Sequence, residues 1–283
     1  MTTARLHDGA LIDVAVRGDG PPVLLPVGTA IVEGEAAEQL RAWGGEPDLG
    51  HALATGLAAA GFRVVTADYE GHLARHPKPR TLTADALAAD LLALADAAGA
   101  DRFAYYGYSW LALAGLQLAT RTDRLTALAM GGFPPLGGPY AEMLAVTRAA
   151  HRLALDPPPP PAADPTPGDW DSAAVTQTPA QTAQYVTLYE SLRGFDERAA
   201  LAALTVPRLA FAGADDTIVY GPKWGDTTVD IAGGLRRHAA ELDRLGWTVR
   251  LVPGADHLGA MRSGTVLPIL VPWLTTTAGA ASL

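Results

Sequence analysis

Ser109 lies in the run Tyr106-Gly107-Tyr108-Ser109-Trp110-Leu111, between an apolar β-type stretch and a helix-type stretch. A serine at a sharp strand-to-helix turn is lifted clear of the sheet, and the following helix turns its positive end toward the same spot. Such a serine is a candidate nucleophile for acyl transfer. The chemistry also needs a base for the hydroxyl proton, an anion to orient that base, and donors waiting for the oxyanion. His257, in Pro253-Gly254-Ala255-Asp256-His257-Leu258-Gly259, follows a predicted strand, lies in a loop and is the candidate base. Asp216, in Phe211-Ala212-Gly213-Ala214-Asp215-Asp216-Thr217, closes another predicted strand and is the candidate acid. Adjacent residues point in different directions, so only one of Asp215 and Asp216 reaches the histidine.

The oxyanion donors are expected to be backbone amides. One is that of Trp110, at the helix start directly after the serine. The other comes from the loop after Val23–Val27, from Thr29 or less favourably Ala30, with Gly28 letting that loop approach closely. His7, His51, His72, His76, His151 and His238 compete with His257. His238 falls on an amphipathic helix, where a solvated face is the simpler reading. His72, in Asp68-Tyr69-Glu70-Gly71-His72, also follows a strand and is expected to line the pocket.

These residues are carried by alternating elements. Apolar runs at Val23–Val27, Phe62–Ala67, Phe103–Tyr106, Leu125–Met130, Leu209–Ala212 and Val249–Val252 read as interior strands, and Leu11–Val16 as a possible edge strand. Helices are expected over Leu49–Ala60, over a segment capped by Thr83 with Leu87, Leu91, Leu94 and Ala98 at helical spacing, over Trp110–Thr120, and over Leu235–Leu245. The alternation predicts an α/β fold, a doubly wound and mostly parallel sheet. From Gly132 to about residue 207 strand signals vanish. A proline run at Pro157–Pro161, with Pro165 and Pro167, separates helical stretches near Ala141–Leu153 and Pro179–Leu192. The expected division is a core formed by 1–134 and 206–283, with 135–205 as an inserted, mainly helical lid.

Composition narrows the function. The 283 residues and 49% apolar content suffice for one large domain with an insertion. The net charge is −9, from 21 basic and 30 acidic side chains, and lysine occurs only at Lys78 and Lys223. With no basic cluster, nucleic-acid and anionic-membrane partners are disfavoured. No cysteine is present, which excludes disulfides and thiolate chemistry. The start of the chain lacks the apolar core of a signal peptide, and no uncharged apolar run reaches ~18 residues, so a cytoplasmic protein is expected. No metal-ligand spacing or phosphate-cradling loop is found. Aromatic residues near the proposed site (Tyr108, Trp110, Tyr220 and Trp224), just before the insertion (Phe133) and within it (Tyr140, Trp170, Tyr185 and Tyr189) suggest a hydrophobic small-molecule substrate.

Gly107-Tyr108-Ser109, Gly213-Ala214-Asp215-Asp216 and Asp256-His257, in the order serine, acid, histidine, resemble the α/β-hydrolase superfamily over about residues 10 to 275. The resemblance implies Ser109 as nucleophile, Asp216 as acid, His257 as base, Thr29 and Trp110 as oxyanion donors, and no cofactor. Two positions depart from the family's pattern. Leu111 stands where the elbow's second glycine belongs, and Val27-Gly28 replaces the usual His-Gly. The reading is a serine hydrolase, carboxylesterase-like, cleaving an ester, thioester or lactone. Two alternatives are weighed: a non-hydrolytic lyase, cyclase or acyltransferase of the same fold relying on His257, and a ligand-binding protein on a hydrolase scaffold.

Overall fold

The computed structural model describes residues 2–159, 166, 169, 171–173 and 176–280, with side chains to 277. The strands are β1 Thr2–Arg5, β2 Leu11–Arg17, β3 Pro22–Leu25, β4 Arg63–Thr66, β5 Phe103–Tyr108, β6 Leu125–Gly131, β7 Arg208–Gly213, β8 Thr217–Tyr220, β9 Thr227–Asp230 and β10 Trp247–Val252. The helices are α1 Gly34–Ala42, α2 Leu49–Ala59, α3 Tyr69–Arg75, α4 Ala84–Ala97, α5 Trp110–Ala119, α6 Tyr140–Leu155, α7 Pro179–Ser191, α8 Glu197–Ala203, α9 Ile231–Arg244, α10 His257–Met261 and α11 Ser263–Ala280.

Eight strands form one sheet in the order β1-β2-β4-β3-β5-β6-β7-β10. Pairing is parallel from β4 to β10 and antiparallel at β1–β2 and β2–β4. Leu11–Val16, expected at the edge, is covered by the short polar strand β1, so the edge lies one strand further out. The interior strands are apolar on both faces because helices cover both. In β5 the two-residue period divides the side chains. Phe103 and Tyr105 join the core under α4 and α5, while Ala104, Tyr106 and Tyr108 join the core under α2 and α11. Leu57, Leu91, Leu116 and Leu270 are fully buried in these layers, each contributing about 1.5–3 kcal/mol.

Helix starts follow the local chemistry. Thr83 accepts from the Ala86 N–H at the head of α4, and Thr178 with Gln181 closes a reciprocal cap at the head of α7. The helices α6, α7 and α8 all fall between β6 and β7, within the segment 135–205. Trp170 and much of the proline-rich stretch, including Pro160, Pro161, Pro165 and Pro167, lie outside the described residues.

A buried ionic cluster lies where α7 meets the connection from α3 to α4. Lys78 Nζ lies 3.0 Å from Asp90 Oδ2 and 3.2 Å from Asp8 Oδ1. Asp90 also accepts from the Tyr69 hydroxyl (2.8 Å) and the His7 amide (2.7 Å). The Lys78 amide donates to Gln184 of α7, whose own amide donates to the Leu73 carbonyl, so α7 is anchored where α3 runs into α4. Lys78 and Asp90 side chains are 1% and 0% exposed, so removing one partner strands a buried charge. Lys78→Met is therefore expected to destabilise the fold by about 3–5 kcal/mol. Urea denaturation reads this directly, and a loss below ~1 kcal/mol would contradict the role given to the pair.

Candidate active site

Ser109 follows β5 and caps α5 with φ 55° and ψ −129°, one of two non-glycine residues with positive φ among those described. Such a conformation costs a non-glycine residue about 1–3 kcal/mol and is held only by its surroundings. The Ser109 amide donates to the Gly131 carbonyl of β6 at 2.8 Å, and α5 begins at the next residue. Gly107 is required here, because a Cβ would run into the Leu111 carbonyl as the chain doubles back.

The imidazole of His257 meets this hydroxyl. Its Nε2 is 3.2 Å from Ser109 Oγ, and its Nδ1 is 2.9 Å and 3.1 Å from the two Asp216 carboxylate oxygens. His257 opens α10, a short helix, where a loop was expected. Asp256 caps it by accepting from the Gly259 amide at 2.7 Å. Asp216 follows β7 and its side chain is fully buried, whereas Asp215 faces solvent, which settles which of the two adjacent acids meets the imidazole.

Beside Ser109 and His257 opens a cavity of about 250 Å³. Trp110, Gly132 and Phe133 form its base. Pro139, Met143, Thr147, Tyr185 and Tyr189 close it from the α6–α7 side, and Ile218, Tyr220, Val229 and Ile231 from the other. Apart from the tyrosines, His257 is the only ionisable side chain in this lining. Burial, with Asp216 nearby, pushes the Tyr220 hydroxyl up to about 12, so it stays a neutral donor. Two larger cavities, of about 440 and 500 Å³, contain neither Ser109 nor His257.

The structure brings Trp110, Phe133, Tyr185, Tyr189 and Tyr220 to this wall and leaves other expected residues elsewhere. Tyr108 points to the opposite sheet face. Its hydroxyl donates to the His257 carbonyl at 2.7 Å and its ring lies 5.2 Å from the imidazole, so it packs against His257. His72 is 3% exposed and packs 5.0 Å from His76. Burial, then Lys78, pulls its pKa down, so it is a neutral interior imidazole. Trp224 sits in a 3₁₀ turn, Pro222–Trp224, against Tyr220 and Lys223. Gly28 and Thr29 line the 500 Å³ cleft instead. Gly28 is packed so closely that a Cβ would lie 2.9 Å from Asp68 Oδ1. That cleft also includes Glu70, whose Oε1 accepts the Trp110 indole N–H at 2.6 Å.

Solved structures share this frame. A carboxylesterase structure from the thaumarchaeon Nitrososphaera gargenis aligns with a TM-score of 0.66 at 15% identity, covering 99% of this chain and 100% of that one. An enol-lactonase from Burkholderia xenovorans aligns at 0.58 and 21% identity over 96% and 99%. A bromoperoxidase from Bacillus anthracis aligns at 0.58 and 18% over 96% and 99%. The chain has the α/β-hydrolase fold. No protein-family model matches it, and no curated protein matches it by sequence.

Within the α/β-hydrolase fold, the departure at Leu111 is absorbed by packing. Leu111 is 3% exposed, and its carbonyl accepts the buried Tyr105 hydroxyl at 2.7 Å, so the elbow helix is held without the second glycine. Sequence reasoning missed Met143, Thr147, Ile218, Val229 and Ile231. The β-branched run Ile218-Val219 after the acid was the available signal for the β8–β9 hairpin, which supplies Ile218, Tyr220 and Val229 to the wall. Among the described residues, no group of acids and histidines is placed to hold a metal ion, and no helix is long and apolar enough to cross a membrane.

Proposed function

We propose that the protein is a cofactor-free serine hydrolase that cleaves an ester, thioester or lactone of a small, uncharged, hydrophobic compound through an acyl-enzyme. The single observation that carries this reading is the continuous path from the Asp216 carboxylate through both imidazole nitrogens of His257 to Ser109 Oγ. In the proposed reaction the Ser109 hydroxyl gives its proton to His257 Nε2 as Oγ attacks the substrate carbonyl carbon. The Asp216 carboxylate accepts from Nδ1–H and balances the imidazolium. The amide of Trp110 receives the oxyanion, with that of Thr29 as the proposed second donor, each donor being worth about 10²–10³ in rate. As the tetrahedral intermediate collapses, His257 returns its proton to the leaving oxygen or sulfur, and water repeats the sequence to free the acid.

The apolar cavity is assigned to the acyl group, since apart from His257, which the proton path uses, nothing in its lining would balance a charge there. Residues 135–205 act as a lid through α6 and α7. Structures of the same fold whose names include carboxylesterase and enol-lactonase support ester chemistry as the class. The test is a fluorophosphonate probe followed by peptide mapping, together with p-nitrophenyl esters of two to ten carbons. Labelling at Ser109 and turnover of short or medium esters are expected, and labelling elsewhere would overturn the assignment. A Ser109→Ala protein that keeps turnover while His257→Ala loses it would move the reading to base-catalysed elimination or cyclisation.

Cavity size sets a second expectation. Thr147→Phe projects a ring into the acyl space. It is expected to lower kcat/KM for the octanoyl ester at least ~10-fold while leaving the acetyl ester within about threefold, a spread of the size that a few methylenes command. Equal losses on both esters would place the acyl group elsewhere.

A further inference from the structure

The turn after β4 carries a carboxylate that the proton path does not use. Glu70, in the first turn of α3, accepts the Trp110 indole N–H at 2.6 Å. Trp110 has two parts in the site: its main-chain amide heads α5 beside Ser109, and its indole walls the catalytic cavity. The indole is also stacked edge-on against Tyr185 of α7 at 5.6 Å and lies 6.3 Å from Tyr69. Glu70 also lines the cleft that holds Thr29.

We propose that Glu70 is a positioning residue, whose carboxylate fixes the Trp110 indole and thereby sets the elbow amide and the cavity wall relative to the reacting carbonyl. This rests on the hydrolase reading above. A hydrogen bond to an ionised acceptor is stronger than a neutral one, and this contact, at 2.6 Å, is short. The indole ring is rigid, so holding its far end restrains the Cα from which the Trp110 amide projects. A displacement of such a donor by about 1 Å costs roughly a hundredfold in rate.

The groups that face Glu70 make its titration readable. Asp68 caps α3 two residues earlier and is itself paired with Arg75 at 3.0 Å. The Tyr105 and Tyr185 hydroxyls sense its charge from β5 and α7, and Asp13 and Glu46 border the same cleft. Although Glu70 is an exposed residue, packing around its carboxylate raises the pKa from its ordinary value, opposed by the indole bond and helped by Asp68.

The experiment follows the indole ¹H–¹⁵N resonances of the full chain with pH, alongside fluorophosphonate labelling rates and ester kinetics. One indole resonance, absent in Trp110→Phe, is expected to titrate with a midpoint above the ordinary glutamate value of about 4.3. Glu70→Gln keeps an acceptor and is expected to abolish that titration while holding kcat within about threefold. Glu70→Ala removes the acceptor and is expected to lower both kcat and labelling rate about ten- to a hundredfold, with KM little changed. If Trp110→Phe does not fold, the resonance is identified as the one whose titration Glu70→Gln removes. An indole signal that titrates unchanged in Glu70→Gln, or a Glu70→Ala protein with wild-type kcat, overturns the proposal. A wild-type protein that neither labels nor hydrolyses overturns the hydrolase reading instead, and the indole titration still judges the Glu70–Trp110 bond.

Discussion

Ser109→Ala is expected to lower kcat on any ester the protein turns over by about 10⁴–10⁶-fold and to abolish fluorophosphonate labelling. The size follows from what is removed. Without Oγ there is no acyl-enzyme, and only binding and the oxyanion donors remain to assist water. The fold should survive, because alanine and serine share the same backbone preferences and the positive φ at 109 is held by its neighbours. Ser109→Gly supplies the complementary control. It is expected to be equally inactive yet more stable by about 1 kcal/mol, since glycine adopts φ 55° without steric cost. Steady-state kinetics and thermal denaturation on the three proteins decide both points. Activity surviving in both variants would end the role of this serine.

Asp216→Asn carries the second-largest expected effect, a fall in kcat of about 10⁴-fold with little change in KM. The Asp216 carboxylate is fully buried and meets His257 Nδ1 with both oxygens. An asparagine amide there can donate to Nδ1, which favours the tautomer whose proton sits on Nε2 and cannot accept from Ser109. It also removes the anion that balances the imidazolium. Asp215→Asn, one residue earlier and facing solvent, is expected to leave kcat within about twofold. The pair of substitutions therefore separates geometry from local composition. Comparable losses in the two proteins would mean the acid has been misassigned.

The legible parts of the sequence were those where one physical rule acts alone. Strands apolar on both faces stand out as runs, and Ser109, Asp216 and His257 each follow the carboxyl end of one, which places them at one rim of a parallel sheet. The cavity was less legible because its wall is drawn from separate elements that only tertiary packing joins. Tyr108 shows the error in small. It neighbours Ser109 in sequence, yet counting by twos along β5 puts it on the face of Ala104 and Tyr106, beneath the imidazole rather than in the cavity. His72 reads as a pocket residue only if α3 is overlooked, and a helix of seven residues gives little periodicity to detect. The β8–β9 hairpin has strands of only four residues, too short for their alternation to stand out before they pair. The last helix, α11, continues through Pro268 and Pro272, where propensity alone would place breaks.

The β8–β9 hairpin leaves the chain directly after Asp216 and returns at Asp230, which heads α9 by accepting from the Gly233 amide at 2.8 Å. It contributes three side chains to the wall beside the serine and none to the proton path. Mutational drift in this excursion can reshape which molecules are accepted while the reactive machinery stays intact. The same separation makes it a natural cassette for exchange: a library confined to residues 217–229 would explore new substrate tastes on an unaltered engine.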